Sequence, residues 1–168
     1  NIILILVFLS FLPSITWADE PLIKIAVGEA RTRKSIVAFP TIQVSSDIDG
    51  KLRSAREVVM EDLAFSGLFD FMNPSAFIED PAKSGVTLGS FKMSDWSSIG
   101  SEFLIKGKGS MDSSGSSLEI YVYSTQSGKQ LLAKRYKAAK ESIRKMAHTI
   151  SNDVMFALTG KKGPFTSK

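Results

Sequence analysis

The hydrophobic period of this chain changes twice along its length, and that switching limits the folds it can adopt. Between residues 49 and 66, Leu52, Ala55, Val59 and Leu63 recur at three- and four-residue steps, while Arg53, Arg56, Glu57 and Glu61 lie elsewhere. This spacing predicts an amphipathic helix, closed by Gly67 in the left-handed conformation. Residues 103–110, 118–125 and 130–136 then look like three strands. They are separated by Asp112-Ser-Ser-Gly115 and Ser127-Gly128, compositions that suit hairpin turns, so a meander is predicted. The helical period returns with Ile143, Met146, Ala147, Ile150, Val154 and Leu158 on one face and Gly160 at the end. This helix is expected to pack on the sheet.

Shorter elements fill in the rest. Ile23, Ile25 and Val27 share one side of an extended segment, and residues 35–39 form a short run stopped by Pro40. Residues 69–72 read as a strand, residues 73–90 as mostly loop, and residues 94–99 as a short helix capped by Ser94. Strands interleaved with helices and followed by a meander imply an α/β fold. The expected architecture is a mixed sheet of five to six strands with two larger helices on one or both faces.

The chain starts with Ile2-Ile-Leu-Ile-Leu-Val-Phe-Leu-Ser-Phe-Leu12, then Pro13, then Thr16-Trp17-Ala18 before the charged Asp19-Glu20. That order matches the core and cleavage site of an export signal without its basic start. A membrane anchor is the competing reading, but spanning takes about 20 apolar residues and this run is shorter. The expectation is a leader over residues 1–18. There is no cysteine, hence no disulfide and no lipid-attachment thiol. A chain of this size buries about 68–70% of its unfolded surface, enough for one domain without covalent staples. The net charge of +4 comes from Lys and Arg scattered among Asp and Glu, a pattern of solubility rather than of nucleic-acid binding.

Few residues carry recognisable catalytic chemistry. His148 is the single histidine and sits beside an apolar helical stripe, where a surface or packing role outweighs a general-base role. Asp47-Ile-Asp49-Gly50 lacks the later acidic ligands of a calcium loop and reads as a helix-start turn. Gly107-Lys108-Gly109 has neither phosphate-loop spacing and falls inside a strand pattern, which points to a bulge or close packing. Tyr121, Tyr123 and Tyr136 lie among lysines, yet cross-strand aromatic pairing explains them better than base stacking. No cofactor and no metal is expected.

A resemblance carries a sharper hypothesis. Ile23-Lys-Ile-Ala-Val27, Ile36-Val-Ala-Phe39, Asp62-Leu-Ala-Phe-Ser66-Gly67-Leu-Phe69, Trp96-Ser-Ser-Ile-Gly100 and Phe103-Leu-Ile-Lys-Gly107 occur in order. They are followed by Arg144-Lys-Met-Ala147-His148-Thr-Ile-Ser151-Asn152-Asp153, Leu158-Thr-Gly160, Gly163 and Phe165. This series resembles the TolB amino-terminal domain family of the Tol-Pal envelope system. The resemblance implies an anticodon-binding-domain-like fold and a non-enzymatic periplasmic scaffold that supports outer-membrane invagination during cell division and outer-membrane integrity. It also implies a domain over residues 19–160 and a linker over 161–168 to a β-propeller missing from this chain.

Two partners are implied as well. A TolA-like inner-membrane protein would contact the mature N-terminus, here Glu20, Pro21, Leu22, Ile23, Lys24, Ile25, Ala26, Val27 and Gly28. A Pal-like lipoprotein would contact the propeller. The chemistry of that N-terminal segment suits strand addition to a partner's sheet edge, although it could equally be a strand of its own sheet. Ala26 and Gly28 stand where the family often carries acidic residues. The alternative function is an envelope ligand-binding module or enzyme with a cleft near residues 73–90.

Overall fold

The computed structural model describes residues 33–47, 50–80 and 83–166. The strands are β1 (Ser35–Ala38), β2 (Gln43–Asp47), β3 (Phe69–Phe71), β4 (Phe103–Asp112), β5 (Gly115–Ser124) and β6 (Gln130–Ala138). The helices are α1 (Lys51–Phe65), α2 (Met93–Ser97) and α3 (Ile143–Thr159), with 3-10 turns at Pro74–Ala76 and Lys140–Ser142. The strands form one mixed sheet in the order β3-β1-β4-β5-β6. Here β1 and β2 both pair, in parallel, with the same side of β4, β1 against Phe103 and Leu104 and β2 against residues 108–111. The mixed α/β architecture expected from the sequence is therefore present, with the meander running antiparallel from β4 to β6.

One face of the sheet carries α1 and α3. Their apolar stripes, Leu52, Ala55, Val59 and Leu63 from α1 and Ile143, Met146, Ala147, Ile150, Val154 and Leu158 from α3, form the main core with Ile105, Met111, Leu118, Ile120 and Val122. Both helices follow strands that end at the same edge of the sheet, so they run parallel to one another. The Asp47 carboxylate accepts from the Leu52 and Arg53 backbone N–H groups at 3.2 Å each, which makes the expected helix-start turn. Gly67 and Gly160 take φ of 74° and 75° at the helix C-termini, as the sequence predicts.

Close packing, not a phosphate loop, explains the glycines of β4. A Cβ on Gly109 would collide with the Ser117 carbonyl oxygen, and one on Gly107 would lie 3.1 Å from both Ile42 and Ile120. The irregularities fall elsewhere, in β2, where the register shifts between Val44 and Ser46, and in β5, between Val122 and Tyr123. One sequence expectation needs correction. The short helix starts at Met93 with Lys92 as its cap residue, so Ser94 lies inside the first turn and does not cap it. β2, Gln43-Val-Ser-Ser-Asp47, offers a single apolar side chain, and the edge of β4 supplies the pairing that its composition does not.

The opposite face of the sheet is covered over part of its area by residues 73–101. Trp96, Ala38, Leu104 and Tyr123 form a second, smaller core with Phe77, Phe91, Met93 and Ile99 packed against it. The Tyr123 hydroxyl donates to the Val86 carbonyl oxygen at 2.6 Å. Burial, with Tyr121 nearby, pushes the Tyr123 phenol up to about 12. Burial and the hydrogen bond to Asp153 push the Tyr136 phenol up as well. A folded-state pKa above the unfolded value of about 10 means that the stabilisation is present below pH 10 and is lost as pH rises through the folded value. We expect stability to fall between pH 10 and 12, by about 2–3 kcal/mol from Tyr123 alone. Urea midpoints at pH 8, 10 and 11.5 check this, and Tyr123→Phe should flatten the decline.

Candidate partner-binding surfaces

Two ion pairs stand at the start of β1. Arg33 lies 2.8 Å from Glu102, and Lys34 lies 2.9 Å from Asp70. Glu102 also accepts from the Ser35 hydroxyl at 3.2 Å, and the Glu102 backbone N–H donates to Ile36 O at 2.8 Å. The expected contact segment, Glu20 to Gly28, lies outside the described residues, as does the leader over residues 1–18. β1 starts at the end of the sheet where β4 also starts, since Val37 pairs with Phe103, and where α1 terminates before β3.

The last described residues are held against the same half of the domain. Asn152 on α3 donates through Nδ2 to the Thr166 hydroxyl at 2.8 Å, and its Oδ1 accepts from the Phe165 backbone N–H at 3.4 Å. The Phe165 ring packs on the main core. Thr159 accepts from Lys161 N–H at 3.1 Å while donating to Met155 O at 2.7 Å, so the turn after α3 is closed by one hydroxyl. Because α3 runs back toward the end where β1 begins, residues 33 and 161 lie at one end of the molecule. Phe65, 85% exposed, and Phe156, about half exposed, belong to the last turns of the two helices that converge there.

His148 joins these helices. Its Nδ1 sits 2.7 Å from Oδ2 of Asp62 on α1, and both side chains are largely buried. With its proton on Nδ1 the ring donates to that carboxylate, so the pair ties α1 to α3, in keeping with the surface or packing role read from the sequence.

On the other face, residues 73–90 are latched down by a buried charge. The Lys106 ammonium contacts the Glu79 carboxylate, with both side chains nearly inaccessible. Glu79 also accepts from Trp96 Nε1 at 2.9 Å and from the Ser84 hydroxyl. The ammonium lies 4.3 Å from the centre of the Phe91 ring. Burial lowers the Lys106 pKa, opposed by the hydrogen bond and charge of Glu79. The inner side of this loop is thus filled by side chains. Among the described residues no group of three His, Asp or Glu comes together in a way that would hold a metal ion.

Comparison with known proteins turns on a match between residues 23–131 and the family model described as the TolB amino-terminal domain. The chain belongs to this family. The TolB match takes in Ile23 to Gly28 and stops within β6. A relative named Tol-Pal system protein TolB, from Geobacter metallireducens, is 31% identical over 166 residues, covering 99% of this chain and 38% of the relative. One named Protein TolB homolog, from Chlorobium chlorochromatii, is 30% identical over 86% of this chain and 32% of its own length. The chain therefore spans about a third of the length of these TolB relatives. The solved structure of TolB from Acinetobacter baumannii superposes with a TM-score of 0.62 at 21% identity, over 80% of this chain and 30% of that one. Lipoprotein GNA1162 from Neisseria meningitidis shares the fold at a TM-score of 0.51 and 9% identity, over 74% of this chain and 99% of that one.

Proposed function

We propose that this chain is the amino-terminal, partner-binding part of a periplasmic component of the Tol-Pal system, acting by protein-protein contact without turnover. Its role would be to support outer-membrane invagination at division and outer-membrane integrity. Family membership supports the system, and one observation supports the mode of action. The start of β1 and the turn after α3, closed by Thr159 and Lys161, lie at one end of the domain. A partner captured ahead of β1 would be mechanically close to the turn after α3. In this reading residues 1–18 are a leader, residues 19–160 the domain, and residues 161–168 a linker to a propeller that would hold a Pal-like lipoprotein.

The contact assigned to a TolA-like inner-membrane protein is Glu20 to Gly28, bound by strand addition. Backbone hydrogen bonds would then supply most of the affinity, so exposed side-chain changes should be mild and backbone changes severe. Ile25→Pro removes one N–H donor and disfavours pairing. We expect it to weaken binding to the TolA-like C-terminal domain by at least about tenfold, or 1.4 kcal/mol, and deletion of residues 19–27 to abolish it. Calorimetry checks this, with circular dichroism to confirm folding. Variants that stay folded and bind like the parent would sink the assignment, and variants that unfold would make the segment a strand of the domain itself. The alternative, a ligand-binding module or enzyme with a cleft near residues 73–90, is less well supported because Phe77, Phe91, Trp96 and the Lys106–Glu79 pair fill the space beneath that loop.

A further inference from the structure

We propose that the outer edge of β6 and the adjoining side of α3 form a strand-addition groove for a partner segment in which apolar and acidic residues alternate. Among the described strands β6 pairs with β5 alone, so one side of its backbone has no ladder. Which groups face outward follows from the meander. Asp112 and Gly115 flank a two-residue turn and so form a hydrogen-bonded pair. Alternation along β5 then directs Ser116, Leu118 and Ile120 toward their β6 partners Ala138, Tyr136 and Lys134. The N–H and C=O groups of Ala133, Arg135 and Lys137 consequently point away from the sheet, and all three residues are exposed.

Beside this edge runs an open groove of about 380 Å³, lined by residues 136–139 of β6 and its continuation and by Ser142, Lys145, Met146 and Thr149 of α3 and the turn before it. A strand laid along β6 would send every second side chain into that groove, against Met146 and Thr149, where apolar groups fit. The intervening side chains would share the opposite face with Arg135 and Lys137, since these pair with Glu119 and Ser117 on the face away from the helices. Arg135 is already held by Glu119 at 2.9 Å. Lys137 is exposed and makes no ion pair among the described residues. Lysines on an edge strand deter pairing with apolar or basic strands, and an acidic partner turns the same charges into attraction. This inference rests on β6 and α3 alone and does not depend on Glu20 to Gly28.

The test uses a fluorescein-labelled peptide of alternating Glu and Val, titrated with the purified chain at low salt and read by anisotropy. We expect saturable binding that weakens at least tenfold for the matching Lys and Val peptide and for a Glu and Val peptide N-methylated on alternate residues. Lys137→Pro, which removes an outward N–H and leaves the β5 ladder intact, should weaken binding at least tenfold without changing the circular dichroism spectrum. Should that variant unfold, the charge reversal Lys137→Glu decides instead, with the same loss expected. Hydrogen exchange should show peptide-dependent protection at Ala133, Arg135 and Lys137. Absence of binding at 1 mM peptide, equal binding of the Lys and Val peptide, or protection confined to another surface overturns the proposal. A dimer dissolved by Lys137→Pro also overturns it, assigning the edge to a second copy of the chain.

Discussion

Lys106→Met lowers the stability of the domain by about 3–5 kcal/mol, the cost of leaving a buried carboxylate without its counter-charge. The lysine and Glu79 side chains are 2% and 6% exposed, so water cannot replace the lost partner. The Glu79 oxygens keep Trp96 Nε1 and the Ser84 hydroxyl, neutral donors that compensate only in part. Pairing the change with Glu79→Gln should recover much of the loss, because a neutral amide can still accept from Trp96. Chemical denaturation of the two variants and the parent checks this. A single variant as stable as the parent would mean that the loop leaves the sheet without penalty. The loss should be accompanied by greater protease sensitivity within residues 73–92, since the pair is what joins that segment to β4.

Ile150→Ala destabilises by about 2–5 kcal/mol, the range for truncating a large aliphatic side chain in a packed core. Ile150 is completely buried on the sheet-facing stripe of α3. For a domain of this length each kcal/mol lowers the melting temperature by about 2–4 °C, so a drop near 10 °C is expected in a thermal melt. Phe156→Ala, on the solvent side of the same helix and about half exposed, should change it far less. Equal effects at the two positions would contradict the orientation of α3.

Periodicity made both large helices and the meander legible, because each buries one face and the sequence repeats with the geometry of that face. Leu52, Ala55, Val59 and Leu63 are all in the core, at the spacing that announced them. The buried network was not legible in the same way. A lysine between Ile105 and Gly107 looks like an ordinary outward residue of a strand, and its partner stands 27 positions earlier in a loop. The available signal was the cluster of Phe77, Phe91 and Trp96 around that loop, which requires something on the sheet to cover. His148 was read as a packing residue, but its partner Asp62 on another helix could not be chosen from spacing alone. The expected contact segment remains a matter of chemistry and resemblance, since Glu20 to Gly28 lie outside the described residues.

The sharing of one side of β4 by β1 and β2 has a consequence for the order of folding. β4, β5 and β6 are joined by short turns, so their ladders close small loops at little entropic cost. β1 and β2 instead find β4 across about 65 intervening positions. Until β4 exists, β1 has only the three-residue β3 as a neighbour, and an isolated pair of short strands is marginal in water. β1 and β2 therefore have no sheet to join while the chain is being made. A chain delivered amino-terminus first stays unfolded by its own topology until its last hairpins arrive, and those hairpins then template the strands that came before them.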